Sequence, residues 1–232
     1  MLIIDDTIFL HLHKCAGTSM GNTVEKYRKY DIQYVSTHNS LNTLPDEFKH
    51  FPVVSLVRNP LTWYISWYTW SCKKHKEMSY YNTPLNAVLL LENGVTVDIH
   101  TFIDRATNLP RFFKNNPEKL EILRDIMLSH RTYDWWKAII GDLTKLSDIK
   151  FNGSLYELLI KGIGVLGSTT YRIEDQKDIV IEMLKLPELG VTEFSRDNVS
   201  YPSQNASKED LEKIIKADDK LFDLFGYEKI IT

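Results

Sequence analysis

Apolar positions along the chain fall into short continuous runs, separated by stretches where they recur every three or four residues. That is the pattern of buried strands alternating with amphipathic helices. A short apolar stretch from Met1 is broken by Asp5 and Asp6, and the run Thr7 to Leu12 predicts a buried strand. A turn over His13 to Gly17 leads into a helical period from Thr18 to Tyr30. Gln33 to Val35 is a second strand candidate, and a short helix is expected near Pro45 to Lys49. Pro52 to Val57, with the run Val-Val-Ser-Leu-Val, suits a central parallel strand, and Asn59-Pro60 ends it. From Leu61 to about Lys76 the rings of Trp63, Tyr64, Trp67, Tyr68 and Trp70 recur at helical spacing, which predicts a helix whose broad apolar face is core.

After Met78 the pattern weakens. Helical periods stand out at Val97 to Ala106, Glu118 to Ser129 and Trp135 to Leu146, with loops between them. Gly164 to Tyr171 reads as another buried strand, and Asp175 is placed to cap a helix reaching about Lys185. Pro187 to Ala206 is a long polar loop, of a length that compact domains keep for function. Ser207-Lys-Glu-Asp210 has the form of a capping box, and Gly226-Tyr227 that of a helix stop. The alternation predicts an α/β fold with a central parallel sheet flanked by helices and carrying helical insertions. The 232 residues suffice for one core, so a single domain over 1–232 is expected, with a variable region at about 78–162.

Composition narrows the function classes. Hydrophobic residues make up 43% and charged residues 25%, which places the chain among globular proteins. The net charge of −3 argues against a duplex nucleic-acid binder or a polybasic membrane anchor, so any anion site must be local. Cys15 and Cys72 make no disulfide framework, and a reduced compartment accounts for them most simply. There is no basic leader and no apolar run near the roughly 18 to 20 residues that span a bilayer. A soluble, cytoplasmic chain is the expectation, and a trimmed luminal domain fits equally.

Two segments carry candidate chemistry. In Phe9-Leu-His-Leu-His-Lys-Cys-Ala-Gly-Thr-Ser19 a strand turns into a helix, whose first amides point along the axis without helical acceptors. There Gly17 would permit close approach, while Lys14, Thr18 and Ser19 add charge and hydroxyl groups; the bland alternative is a helix cap alone. The nucleotide-kinase spacing is absent, because the lysine precedes the glycine. In Val53 to Ser66 a strand ends on Arg58, a proline turn follows, and Ser66 lies two helical turns further on. Arg58 offers a planar charged fork and Ser66 a hydroxyl, a pair suited to one phosphate, with a surface salt bridge as the alternative for Arg58.

Lys-Cys-Ala-Gly-Thr-Ser after a strand resembles the 5′-phosphosulfate loop of sulfotransferases that use 3′-phosphoadenosine-5′-phosphosulfate (PAPS), near the Pro-Lys-Thr-Gly-Gly-Thr-Ser form of the carbohydrate branch. His13, Cys15 and Ala16 depart from that form; Lys14, Gly17, Thr18 and Ser19 keep it. Val53 to Ser66 resembles the family's 3′-phosphate segment, and Tyr171-Arg-Ile-Glu-Asp175 with Ala217 to Tyr227 looks like the closing part of membrane-type carbohydrate sulfotransferases. The resemblance implies a P-loop-NTPase-like sulfotransferase fold, PAPS as donor without a required metal, and a hydroxyl acceptor, a carbohydrate by this likeness. It implies that Lys14, Cys15, Ala16, Gly17, Thr18, Ser19, Arg58 and Ser66 hold the donor, with Lys14 on the leaving oxygen. His38, in Ser36-Thr-His-Asn39, resembles the catalytic histidine of the heparan/uronyl 2-O-sulfotransferases; Asp46 and Glu47 are fallback bases. His11 and His13 fall short of a metal site. Lys73 to Lys76 end the helix as a basic cluster that complements its dipole, or that Arg105, Arg111 and Lys114 could extend toward an anionic acceptor; Trp135-Trp136 fill core or stack on a sugar ring, and the resemblance implies that the loop Ser200 to Asn205 contacts the adenosine bisphosphate. A Mg-ATP-dependent kinase on the same scaffold and a non-catalytic nucleotide- or glycan-binding module are the rival readings.

Overall fold

The computed structural model describes residues 1–27, 32–34, 40–78, 84–129, 137, 139–140, 151, 153–191, 193 and 206–231. The chain gathers into two compact units, Met1–Asn59 with Ile160–Val199 and Pro60–Leu159 with Ser200–Thr232.

The first unit is built on a sheet of five strands: β1 (Leu2–Ile4), β2 (Thr7–Leu10), β3 (Ile32–Tyr34), β4 (Val53–Val57) and β5 (Thr169–Arg172). Their order is β3-β1-β2-β4-β5. β2, β4 and β5 pair in parallel, whereas β1 pairs antiparallel with both β2 and β3. Four strands therefore run one way, and β1 is wedged among them in the opposite sense. The acidic break that interrupts the first apolar run is a two-residue hairpin loop: Ile4 faces Thr7 across it, and Asp5 takes a left-handed φ of +50°. Aspartate tolerates that region because its short polar side chain bonds locally. The expectation of one strand here is thus corrected to two. β1, β2 and β4 are nearly continuous apolar runs because both faces of the sheet are covered, and Ile3, Ile8, Val54 and Leu56 are fully buried.

Around the sheet stand α1 (Gly17–Tyr27) and the helix Lys177–Met183. The latter is not capped by Asp175: Gln176 holds the cap position, and Asp175 pairs with Arg172 instead. The helix foreseen near Pro45 is a single tight turn, Asp46–Phe48.

In the second unit α2 (Pro60–Met78) carries the aromatic face, followed by α3 (Pro84–Leu89), α4 (Ile99–Thr107), α5 (Leu109–Asn115), α6 (Pro117–Ser129), α7 (Leu155–Ile163), α8 (Lys208–Ala217) and α9 (Asp219–Phe225). α7 continues into the first unit. Trp63, Tyr64 and Trp67 are fully buried, and Trp63 packs on Trp67 and Tyr156 with ring centroids 5.1 and 4.6 Å apart. Each such ring contributes roughly 1.5–3 kcal/mol by burial. The indole N–H of Trp67 donates to Asn86 Oδ1 at 2.8 Å, and the Asn86 amide donates to Ser71 Oγ at 2.9 Å, so these three buried polar groups are matched to one another. The capping box at Ser207 is formed with Asp210, and Gly226 ends α9 in the left-handed region at φ +67°. Trp135-Trp136 and the loop to Asn205 lie outside the described residues.

Candidate donor-binding site

In an open α/β sheet, ligands collect where parallel strands end, because the loops there diverge and helix N-termini converge. β2 hands the chain to a tight turn over His13 to Ala16, and α1 begins at Gly17. Within that turn Lys14 and Ala16 both take left-handed φ values, +64° and +60°, with Cys15 between them outside that region. Left-handed residues of this kind open a concavity lined by main-chain N–H groups, an anion-binding nest; the Cys15 N–H is not among them, because it donates to the Leu12 carbonyl at 3.3 Å. The first helical bond runs from the Met20 N–H to the Ala16 carbonyl at 2.9 Å. The amides of Ala16, Gly17 and Thr18 therefore have no acceptor inside the helix.

Gly17 has a packing role that the sequence did not show. A Cβ there would fall inside the imidazole of His11, so the glycine makes room for a buried histidine of its own chain. His11 and His13 are both buried, with stacked rings 6.1 Å apart. Of the hydroxyl residues Thr18 is exposed, whereas Ser19 is buried on α1.

Arg58 follows the last residue of β4, and its Nη1 donates to the Lys14 carbonyl at 3.5 Å. Parallel pairing sets Arg172 opposite Val57 at the same edge. The backbone there is tied twice more: the Ile173 N–H donates to the Val57 carbonyl and the Asn59 N–H donates to Glu174 Oε1, both at 2.9 Å. Arg172 and Glu174 are the site neighbours that the sequence reading left without a role. The segment Tyr171 to Asp175 was visible as a motif, but only the pairing of β4 with β5 sets it beside Arg58.

Charge at this edge is arranged for an anion. Burial, and then the nearby Arg58 guanidinium, lower the Lys14 ammonium to about 8. Two cations this close favour a ligand that neutralises both. Burial pushes the Cys15 thiol far up, so it stays protonated and serves as a small apolar filler, not a nucleophile. The donor set suits a phosphosulfate: two cations, one of them a planar fork, and convergent backbone amides.

Ser66 lies on α2 in the second unit and is buried at 2% exposure. His38 lies outside the described residues. Asp46 and Glu47 are on an exposed turn, where the Asp46 carboxylate already accepts from Lys49 Nζ at 2.5 Å. Among the described residues no three His, Cys, Asp or Glu side chains gather as metal ligands, and no helix is long and apolar enough to cross a membrane.

Mostly co-directional strands, with a cation-bearing nest after one and an arginine after the next, define an α/β phosphate-loop protein that has exchanged the kinase lysine for one ahead of the glycine. The model of the sulfotransferase domain family matches residues 5–131, more than half of the chain, which therefore belongs to that family. It is a PAPS-dependent sulfotransferase, transferring the sulfuryl group to an acceptor. The kinase and the non-catalytic module are set aside by that membership. No curated protein and no solved structure matches the chain significantly.

Proposed function

We propose that the nest at Lys14 to Ser19 holds the 5′-phosphosulfate, that Arg58 and Ser66 hold the 3′-phosphate, and that the acceptor is a carbohydrate hydroxyl activated by His38. The observation that carries this reading is the hydrogen bond from the Arg58 guanidinium to the Lys14 carbonyl, which joins the two motifs at one sheet edge. The matched family span runs through residues of both compact units, which supports treating them as one catalytic domain. The carbohydrate acceptor is supported by the loop's likeness to the carbohydrate branch and by the closing Phe-Gly-Tyr element; the heparan/uronyl 2-O-like branch within it rests on the likeness of Ser36-Thr-His-Asn39.

When bound, PAPS supplies a sulfuryl group on a phosphate leaving group, an in-line displacement in which charge builds on the bridging oxygen. Lys14 stands beside the nest, and its ammonium meets that charge. The Ala16, Gly17 and Thr18 amides supply fixed dipoles that need no reorganisation during transfer. Arg58 orients the nucleotide from its other phosphate. His38 follows β3, which runs in the same direction as β2 and β4 and so ends at the same edge. Two residues on, Ser40 is anchored by its buried hydroxyl to the Gly162 carbonyl at 2.7 Å. In this reading His38 takes the acceptor proton, since an imidazole titrates near neutral pH.

The test is calorimetric titration with adenosine 3′,5′-bisphosphate beside single-turnover assays. Lys14→Ala is expected to lower transfer by about 10²–10³ while bisphosphate binding changes little. Arg58→Ala is expected to weaken binding by roughly 10- to 100-fold, the loss of about 1.5–3 kcal/mol for a charged hydrogen bond. Near-normal turnover in Lys14→Ala overturns the role of that lysine.

A further inference from the structure

Arg58 is fastened on both sides, through its backbone neighbours, to one turn of another strand. Before it, the Val57 carbonyl accepts from the Ile173 N–H at 2.9 Å; after it, the Asn59 N–H donates to Glu174 Oε1 at 2.9 Å. Both ties reach the turn that ends β5, and that turn is closed on itself. The Gln176 N–H donates to the Arg172 carbonyl at 2.9 Å, the Arg172 N–H donates to Gln176 Oε1 at 3.0 Å, and the Arg172 guanidinium pairs with Asp175.

Pairing of β4 with β5 runs out at Val57 and Arg172, so the ladder does not set the chain beyond that rung. The side chain of Glu174 supplies the next bond. Each peptide unit is a rigid plane, so a hydrogen bond to either end of it fixes its orientation. The bond at the Val57 carbonyl holds the plane before Arg58, and the bond at the Asn59 N–H holds the plane after it. Together they set φ and ψ of Arg58, and with them the direction in which its side chain leaves the backbone. That direction brings Nη1 to the Lys14 carbonyl.

Charge alone would not favour a carboxylate at this place. After burial, the charges acting on the Cys15 thiol are those of Arg58, which lowers it, Glu174, which raises it, and Lys14, which lowers it. Glu174 therefore stands close enough to the donor loop to oppose an anion bound there. Its charge works against the donor while its hydrogen bond works for the arginine, and substitution separates the two.

We infer that Glu174 is a positioning residue for donor binding: its carboxylate fixes the peptide after Arg58 and so aims the guanidinium, a role that rests on the assignment of Arg58 to the 3′-phosphate.

Calorimetric titration of the whole chain with adenosine 3′,5′-bisphosphate tests it, using Glu174→Ala, Glu174→Gln, Arg58→Ala and the double variant of Arg58→Ala with Glu174→Ala. Glu174 is exposed, and glutamine matches its shape, so both single variants are expected to fold. Glu174→Ala is expected to weaken the bisphosphate about five- to tenfold, as the loss of one hydrogen bond would. Glu174→Gln keeps the acceptor oxygen without the charge and is expected to bind at least as tightly as the wild type. In the Arg58→Ala chain, adding Glu174→Ala is expected to weaken binding by less than about twofold, because there is no guanidinium left to aim. Unchanged binding in Glu174→Ala, a loss in Glu174→Gln equal to that in Glu174→Ala, or the full loss persisting in the double variant overturns the role of Glu174. If Arg58→Ala itself leaves binding unchanged, the 3′-phosphate assignment falls and the positioning role falls with it. Weakening in Arg58→Ala beside unchanged binding in Glu174→Ala overturns the role of Glu174 alone.

Discussion

Ala16 holds a left-handed φ of +60° in the loop where the sulfotransferase pattern has glycine. An L-residue in that region costs about 1–2 kcal/mol. Glycine would remove that cost but lose about 0.5–1 kcal/mol more on folding. Ala16→Gly is therefore expected to stabilise the protein by roughly 0.5–1 kcal/mol, read from the midpoint of urea unfolding. A variant destabilised by more than that amount would show that the loop conformation is unstrained. The same residue shows a limit of sequence reading. Lys14, Gly17 and Arg58 stood out in the sequence as candidates, but the close approach of Gly17 to the buried His11 ring is a contact that no spacing rule contains.

Among the elements of the second unit, Asp218 ties three helices. It is 2% exposed and accepts from Ser154 Oγ, at the head of α7, at 2.5 Å. The Tyr64 hydroxyl on α2 bonds it as well, and Glu157 on α7 adds a like charge. Burial is the main cause that raises the Asp218 carboxyl to about 7. The sign follows from comparing states: the unfolded chain releases this proton near 3.9, whereas the folded chain keeps it to about 7. Asp218 thus favours the folded state below pH 4, and this contribution is lost as pH rises through 7. Asp218→Asn keeps an acceptor oxygen for the Ser154 and Tyr64 hydroxyls and carries no titrating proton. It is expected to gain about 2–4 kcal/mol over the wild type at pH 8 relative to pH 5, measured by urea unfolding. Parallel losses in both proteins would place the titration elsewhere. Helices with caps or rings in their sequence, α2 and α8, were readable in advance. α3, α5 and α7 were not, because each is short and its apolar positions make sense only against the neighbours that bury them.

At the scale of the whole molecule, a nucleotide that binds only the folded chain stabilises it by mass action, about 2.7 kcal/mol at a hundred times Kd. For a chain of this size that is a rise in Tm of roughly 5–10 °C. Adenosine 3′,5′-bisphosphate is expected to move a single calorimetric transition by that amount, and to move it less in Arg58→Ala. Two transitions of which one shifts would overturn the reading of 1–232 as one cooperative domain.

The sequence by itself determined the class of fold, the order of the main strands and helices, and the family. These reside in local periodicity and in two contiguous motifs, where residue type and spacing carry the physics. Tertiary structure alone decided that β1 is wedged antiparallel between β2 and β3, that Arg58 meets the Lys14 carbonyl, and that Arg172 and Glu174 stand beside it. It also decided that Asp218 is enclosed. Each of these joins residues tens of positions or more apart, or depends on which face of a short element finds a partner. Strand pairing and burial select those outcomes from many that the same local pattern allows.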